Sequence, residues 1–378
     1  MSAAHPAGSD LTLAHLVRTQ KVIVCCGAGG VGKTTTAAAL ALAGARAGRR
    51  VLVLTIDPSR RLAETLGVSR NPKDPVPLPE DRTRAAEILP PGSLEAWMLD
   101  AKLVSDEAVR RIVKSPEEAR KILENRVYQH VTAMVAGMHE YTAMEALHRF
   151  VSEGRYDLVI LDTPPSRHAL DFLEAPSRLS RFLDGKIFRL FLPKEGGLLR
   201  QAAGKLVSKA LGTVFGEEFA SELTVFFNTF SGIFSSLNSD VTVMRAFLSQ
   251  PDVSFLLVTS PAPAALGEAL YFRRKTHELG LPFRGFVLNR SFARDEGKVF
   301  PDESLLPPDA SAELRAALPK LQALARAEQA LGARDRALLA DLANRAGSDA
   351  LAIAVPSLPH GADDMGTLLT VANVLMSS

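Results

Sequence analysis

One glycine-rich segment, residues 27–34, constrains the fold more than any other part of the chain. It spells Gly-Ala-Gly-Gly-Val-Gly-Lys-Thr, follows the apolar run 22–26 and precedes an alanine-rich stretch that ends at Gly48. A strand, a glycine loop and a helix in this order fit the pattern G-x-x-x-x-G-K-[ST], in which backbone N–H groups turn toward a phosphate chain. The spacing therefore predicts a phosphate-binding loop, with a plain glycine-rich turn as the alternative.

The loop's expected chemistry is divided between its backbone and two side chains. Lys33 would place a positive charge beside the β- and γ-phosphates, and the hydroxyl of Thr34 suits a magnesium ion. The first turn of the following helix adds its partial positive charge. The residues predicted to bind the nucleotide here are Gly27, Gly29, Gly30, Val31, Gly32, Lys33, Thr34 and Thr35.

The composition excludes several classes of protein. With 47% hydrophobic residues and a net charge of +2, the 378-residue chain can build a core and has no overall charge that would attract nucleic acid. Its only cysteines, Cys25 and Cys26, are interpreted as small apolar core residues. Residues 1–10 lack a signal-peptide pattern, and the longest uncharged segment, Leu223–Ser239, is too short and polar for a transmembrane helix. We therefore expect a cytoplasmic protein.

Apolar runs bounded by turn residues recur along the chain and predict the strands of a sheet. These runs are 22–26, 51–56, 94–99, 157–161, 254–259, 283–288 and 351–355. They are continuous rather than alternating, which is typical of strands buried on both faces of a parallel sheet. Because helical patterns separate them, the predicted fold class is α/β, a doubly wound, mostly parallel sheet.

The sequence also suggests how this sheet is divided. Residues 1–170 would form the first part of the core, 171–250 a helical insertion subdomain, and 251–378 the second part of the core. Three local expectations accompany this division: a leading helix capped by Asp10, a surface loop over 71–91 and a helical hairpin over 301–346.

Polar residues that follow the strands should meet at one edge of the sheet, where such folds bind ligands. Asp162 ends an apolar strand, and its carboxylate would help to hold a magnesium ion; a helix N-cap is the alternative. Asp57 would orient or deprotonate the water that attacks the γ-phosphate, or else cap the segment 59–66. Asn289 suits the edge of a base and is equally compatible with a turn.

Several of these motifs together resemble the ArsA-type ATPases, which include the arsenite-pump ATPase and the ATPase that targets tail-anchored membrane proteins. The resemblance covers nearly the whole chain in the same order. The segments that carry it are Gly27–Thr35, Asp57-Pro58, Glu140-Tyr141 with Met144-Glu145, Asp162–Leu170 and Val287–Asn289. It implies a SIMIBI-like P-loop NTPase fold.

The resemblance also implies a role for each matching position. Lys33 and Thr34 would bind phosphates and magnesium, and Asp57 would lie in switch I, polarise water and join Thr34 and Asp162 around the metal. Residues 162–168 would form switch II, and Asn289 and the Pro356 loop would contact adenine. ATP and Mg²⁺ are thus the implied ligands. Members of the family work as dimers that close around two ATP molecules and move a helical subdomain.

One position departs from the family pattern. Relatives carry a second lysine in the glycine loop that reaches across the dimer, whereas this chain has Ala28. Arg60, Arg61 or Arg167 could supply that charge as an arginine finger, or these arginines could pair with acidic surface residues. A heterodimer with a paralogue that keeps the lysine is a further alternative. The chain has no Cys-x-x-Cys pair for zinc and no dispersed cysteines for arsenite, so we discount arsenite transport.

The predicted insertion is unusually rich in phenylalanine and basic residues. Residues 182–234 hold nine of the 18 phenylalanines, and residues 178–209 contain eight basic and two acidic side chains. Apolar residues recur every three to four positions from Leu223 to Leu237. The insertion is either an ordinary helical subdomain or a surface over 182–237 for an apolar helix, a membrane-protein client or an anionic membrane.

The sequence thus favours an ATP-hydrolysing, Mg-dependent dimeric switch ATPase whose helical insertion binds a hydrophobic protein or membrane partner. Two alternatives remain open. One is a low-turnover, nucleotide-gated binding subunit of a heterodimer, which Ala28 motivates. The other is a partitioning or positioning ATPase, against which the lack of basic residues in 361–378 argues. No nucleic-acid partner is expected.

Overall fold

The computed structural model describes twelve ranges of the chain. These are residues 11–55, 61–69, 74–99, 106, 109–110, 113, 115–125, 138–163, 243, 245–294, 300–358 and 364–377. The secondary structure elements within them are, in chain order, α1 (Leu13–Thr19), β1 (Val22–Gly27), α2 (Lys33–Arg46), β2 (Arg50–Thr55), α3 (Arg61–Leu66), β3 (Val76–Pro77), α4 (Glu80–Ala85), β4 (Ser93–Met98), α5 (Pro116–Leu123), α6 (Met138–Ser152), β5 (Leu158–Asp162), β6 (Val253–Thr259), α7 (Pro263–Glu278), β7 (Phe283–Ser291), a 3₁₀ helix (Glu303–Leu305), α8 (Ala312–Ala346), β8 (Leu351–Pro356) and α9 (Met365–Met376).

The strands form one eight-stranded sheet in the order β3-β4-β2-β5-β1-β6-β7-β8. Every neighbouring pair is parallel except the short edge strand β3, which runs antiparallel to β4. This confirms the predicted α/β class with a doubly wound, mostly parallel sheet. Because β5 lies between β1 and β2 while β6 lies on the other side of β1, the chain reverses direction across the sheet beside β1. That is where folds of this kind bind ligands.

Alternate residues of the central strands pack into two different cores, one on each face of the sheet. Ile23 and Cys25 of β1 belong to the core that packs beneath α2 and α9, whereas Val24 and Cys26 belong to the core on the α6 and α7 side. This alternation follows from the two-residue period of a strand. It also places the two thiols on opposite faces, as expected of small core residues. Burial raises the pKa of Cys25 well above its usual value and that of Cys26 to about 12.

The segment 71–91, predicted as a surface loop, contains both an edge strand and a helix. Its prolines suggested a loop, but Pro77 lies on β3 at the sheet edge, where the missing N–H of proline is tolerated. Leu78, Ala86 and Ile88 are buried in the core and hold the segment against β4. The loop prediction was therefore wrong for the part of this segment that the structure describes.

Two helix predictions also need correction. The leading helix begins at Leu13, and its cap is Thr12, whose hydroxyl accepts a hydrogen bond from the His15 N–H at 3.1 Å; Asp10 lies outside the described residues. The predicted hairpin over 301–346 is instead one 35-residue helix, α8. Pro319 lies inside this helix, where a proline removes one backbone hydrogen bond, but it does not end the helix because the surrounding Ala, Leu and Arg residues favour helix strongly.

The helices within the described ranges are each too short or too polar to span a lipid bilayer.

Candidate nucleotide site

The glycine loop lies between the end of β1 and the start of α2, at the carboxyl edge of the sheet. Two of its glycines are required by close approaches. A Cβ on Gly27 would lie 2.0 Å from the carbonyl oxygen of Val258 on β6, and one on Gly32 would lie 2.1 Å from Nδ2 of Asn289. Gly32 also has a φ of 93°, a left-handed conformation that favours glycine. The loop is therefore a close-packed backbone turn, which is the arrangement a phosphate cradle needs.

The side chain of Lys33 lies inside this turn. Its ammonium group donates a hydrogen bond to the carbonyl oxygen of Ala28 at 2.8 Å, and its side chain is 7% exposed. A buried ammonium is costly unless hydrogen bonds replace its hydration, so its place inside the loop indicates a role for the charge there. Because Lys33 is the first residue of α2, the charge adds to that of the helix N-terminus.

The strand next to the loop supplies a carboxylate. The Thr34 hydroxyl donates to Oδ2 of Asp162 at 2.7 Å, and the Thr55 hydroxyl donates to the same oxygen at 3.1 Å. Asp162 is only 1% exposed. The structure thus brings together Thr34 and Asp162, which are 128 positions apart and were both predicted as magnesium ligands.

The register of the sheet explains why these groups meet. Asp162 pairs with Cys25 on β1 and with Thr55 on β2, and paired residues in a parallel sheet project to the same face. That face carries α2, whose first turn contains Thr34. The carboxylate therefore lies beneath the N-terminus of α2 and is oriented by two hydroxyl donors.

Thr55 is a site residue that was not predicted from the sequence. The available signal was a hydroxyl residue at the end of the apolar run 51–56, in the same two-residue period as Val51 and Val53. Threonine is common in strands, so that signal alone does not separate a site residue from an ordinary one. Only the pairing of β2 with β5 reveals its contact with Asp162.

The residues fit a divalent cation bound together with phosphates. Among the described residues, no group of three or more His, Cys, Asp or Glu side chains gathers at one place, so a cage made of protein ligands alone is not found there. Magnesium typically takes one or two protein oxygens and completes its shell with substrate phosphates and water. Asp162 and the hydroxyl of Thr34 are suitable oxygens beside the loop.

Several predicted residues fall outside the described part of the chain. These are Asp57, Arg60 and Arg167, together with most of the predicted switch II and of the insertion. The start of switch II is described: the Thr163 N–H and hydroxyl donate to the carbonyl oxygen of Cys25 at 3.2 and 2.9 Å. This pair of bonds ties the residue after Asp162 to the strand that leads into the loop.

Asn289 and Pro356 lie toward the other side of the loop. Asn289 is within β7 rather than after it, and its amide donates to the carbonyl oxygen of Val31 at 2.8 Å. Pro356 ends β8 and pairs with Ser291 of β7. Asn289 therefore braces the glycine loop, which the sequence did not predict. Contact of Asn289 and Pro356 with adenine stays a prediction.

A glycine loop between a strand and a helix, with a threonine bonded to a carboxylate on the neighbouring strand, defines a P-loop nucleotide-binding protein. The family model of the anion-transporting ATPases matches residues 20–300. The chain therefore belongs to this ArsA-type family, which confirms the resemblance drawn from its motifs.

Three relatives show how far the similarity extends. A putative arsenical pump-driving ATPase of Aquifex aeolicus is 28% identical over 244 residues, which is 61% of this chain and 56% of that one. An uncharacterized protein of Streptomyces coelicolor is 28% identical over 341 residues, 89% of this chain and 76% of that one. The ATPase GET3 of Kluyveromyces lactis is 28% identical over 194 residues, 49% of this chain and 53% of that one. The matched part thus spans about half the length of the first and third relatives.

Proposed function

We propose that the protein is a Mg-dependent, dimeric switch ATPase that couples its nucleotide state to the binding of a hydrophobic protein or membrane partner. The observation that supports this most is the hydrogen bond of 2.7 Å between Thr34 and Asp162 beneath the glycine loop. It links the loop that would hold phosphates to the strand that leads into the predicted switch II. Loss of the γ-phosphate would therefore change the conformation of residues 162–168.

The side chains at this edge have separable tasks. Lys33 would neutralise charge on the β- and γ-phosphates, which stabilises the transition state of phosphoryl transfer. Asp162 and Thr34 would hold a magnesium ion, which supplies further positive charge to the phosphates when bound. Asp57 would orient the attacking water, and Asn289 with the Pro356 loop would contact the adenine ring. The observed brace from Asn289 to Val31 supports a place for Asn289 beside the nucleotide.

In the proposed dimer, each subunit would need to supply a positive charge to the phosphates bound by the other subunit. The methyl group of Ala28 is packed in the core, and the backbone carbonyl oxygen of Ala28 accepts a hydrogen bond from Lys33. This position therefore has no charged side chain that could reach the phosphates of a second subunit. We propose that Arg60, Arg61 or Arg167 acts as the arginine finger. Alanine variants of each should lower ATP turnover about a hundredfold or more if that arginine is the finger. Arg155→Ala, which removes an ion pair with Glu95 remote from the loop, is the control and should keep wild-type turnover.

The partner surface would lie in the insertion, residues 171–250, and mainly within 182–237. Its phenylalanine-rich and basic composition supports an apolar helix or a membrane protein as the partner. Because the insertion follows switch II and precedes β6, its position in the chain lets nucleotide state act on it.

Two measurements on the purified protein test this proposal. Light scattering should give a mass near twice the 40.6 kDa of one chain when ADP and aluminium fluoride are added, and ATP turnover per chain should rise with protein concentration. A monomer mass with constant, very low turnover would contradict the homodimer. If the protein then gains turnover only with a second ATPase co-purified from its source cells, the heterodimer alternative is correct.

A further inference from the structure

A buried carboxylate lies where α8 contacts the end of β7. Asp335 is 0% exposed and accepts hydrogen bonds from the Phe292 N–H at 2.9 Å and the Ser291 hydroxyl at 3.3 Å. Nε and Nη2 of Arg334 donate to its other oxygen at 3.0 and 2.8 Å. Removing a carboxylate from water is costly, and well-packed apolar side chains often stabilise a core as well or better. Asp335 therefore calls for an explanation beyond the stability of the sheet.

The carboxylate holds the turn that follows β7. Arg290 has a φ of 56°, a left-handed conformation that is uncommon for a residue with a side chain. The Ser291 hydroxyl that donates to Asp335 accepts in turn from the Ala293 N–H at 3.0 Å. The hydrogen bonds that Asp335 accepts from Ser291 and Phe292, and the one that the Ser291 hydroxyl accepts from Ala293, thus fix residues 291–293 in one backbone conformation.

This turn joins the two segments expected on the adenine side of the site. Asn289, two residues before Ser291, donates to the Val31 carbonyl of the glycine loop at 2.8 Å. The carbonyl oxygen of Ser291 accepts from the Ser357 N–H at 3.2 Å, directly after β8. Ser291 therefore connects Asp335 on one side to Asn289 and to the loop after β8 on the other.

We propose that Asp335 is a positioning residue for the base end of the nucleotide site, an inference that rests on the proposed ATP site. It holds Ser291 in place, which keeps Asn289 against the glycine loop and fixes the start of the loop after β8. Asp335 contacts the turn after β7, whereas the phosphate chemistry would take place at the ends of β1 and β5. Its loss should therefore weaken nucleotide binding and raise KM while kcat stays nearly constant.

The test compares Asp335→Asn and Ser291→Ala with the control Asp157→Asn. Asp157 also accepts hydrogen bonds from a backbone N–H and from a guanidinium: the Arg50 N–H donates at 2.9 Å and the Arg50 guanidinium at 2.7 Å. Asp157 lies at the opposite edge of the sheet. Fluorescent ATP and GTP analogues are titrated at a temperature well below the unfolding transition, and steady-state kinetics are measured on the same samples. We expect Asp335→Asn to bind the ATP analogue about tenfold more weakly, with a smaller loss in Ser291→Ala and none in Asp157→Asn. The preference for the ATP analogue over the GTP analogue should also narrow.

Each result has a distinct meaning. If the wild type binds ATP and Asp335→Asn binds it equally well, or if its loss is entirely in kcat, Asp335 is not a positioning residue. If Asp335→Asn fails to fold, Ser291→Ala decides, and a wild-type KM and base preference there overturn the inference. If the wild type binds neither analogue, the proposed nucleotide site itself is wrong and the inference falls with it.

Discussion

The two edges of the sheet carry carboxylates with different partners. At the carboxyl edge, Asp162 accepts hydrogen bonds from the hydroxyls of Thr34 and Thr55. At the amino edge, Asp157 accepts from the guanidinium and N–H of Arg50, and Asp252 forms an ion pair of 3.0 Å with Lys21. A hydroxyl donor orients a carboxylate without cancelling its charge, whereas a cationic partner neutralises it. The first edge is thus suited to binding a cation and the second to joining strands.

The arginines at the amino edge also join elements of the fold. The guanidinium of Arg49 donates to the carbonyl oxygens of Val17 and Asp157, which links α1 to the start of β5. Burial lowers the pKa of Arg49, and the hydrogen bonds from Arg50 lower the pKa of Asp157. Changes at the carboxyl edge should therefore affect turnover, and changes at the amino edge should affect stability.

The largest expected effect comes from removing the cation of the glycine loop. Lys33→Ala should lower kcat/KM at least about a hundredfold, because the buried ammonium inside the loop no longer stabilises phosphate charge. The matched variant Lys21→Ala removes a lysine at the other edge and should keep wild-type kinetics. Steady-state ATPase assays of both variants check this. Equal losses of kcat/KM in the two variants would contradict the assignment of catalysis to the carboxyl edge alone.

A methyl group on Gly32 should have the next largest effect. Its Cβ would overlap Nδ2 of Asn289, so Gly32→Ala should displace the brace on Val31 and weaken ATP binding by at least about tenfold. Gly280→Ala places the same methyl on a residue with a φ of 67° but nothing within 4 Å. That control should show backbone strain only, as a lower unfolding midpoint with unchanged binding. Unaltered binding in Gly32→Ala would show that the close contact does not matter.

A smaller effect should follow from removing one hydroxyl beside Asp162. We expect Thr55→Val to reduce turnover about tenfold and to raise the Mg²⁺ concentration needed for tight nucleotide binding, because the carboxylate loses one orienting donor. Thr276→Val is the control, since this threonine is equally buried and donates to the Arg273 carbonyl at 2.8 Å on α7. Thr55→Ser should restore most of the activity. Identical behaviour of the two valine variants would rule out a special role for Thr55.

The smallest effect concerns acid stability at the amino edge. Because hydrogen bonds from Arg50 lower the pKa of Asp157, this carboxylate stabilises the fold above its unfolded pKa of about 4, and the gain is lost as pH falls through the lower folded value. Asp157→Asn should therefore reduce stability at pH 7 slightly and flatten the loss of stability below about pH 4. Urea unfolding from pH 7 to pH 2.5 checks this. A parallel pH profile for the two proteins would show that Asp157 does not contribute.

Much of the carboxyl edge could be predicted because its signals are local. The glycine loop is a continuous pattern, and Asp162 directly follows an apolar strand, so both were identified from neighbouring residues alone. The parallel sheet then places strand ends together without further information. This is why the sequence predicts both Thr34 and Asp162 at one magnesium site.

The missed features depend on pairings between distant parts of the chain. The contact of Thr55 with Asp162 requires the register of β2 against β5, and the brace from Asn289 to Val31 requires β7 to extend past its apolar run. The buried Asp335 gave no signal in a segment with many exposed charges. The predicted hairpin failed for a different reason, because helix propensity over 312–346 outweighed the single proline.

Asp162→Asn compared with Asp157→Asn tests the difference between the two edges most directly. Both substitutions replace one carboxylate by an amide of the same shape, and both are assayed for Mg-dependent ATP turnover and for urea unfolding. We expect Asp162→Asn to lose about a hundredfold or more in turnover while it stays folded, and Asp157→Asn to keep wild-type turnover. Wild-type turnover in Asp162→Asn, or an equal loss in both variants, would contradict this expectation.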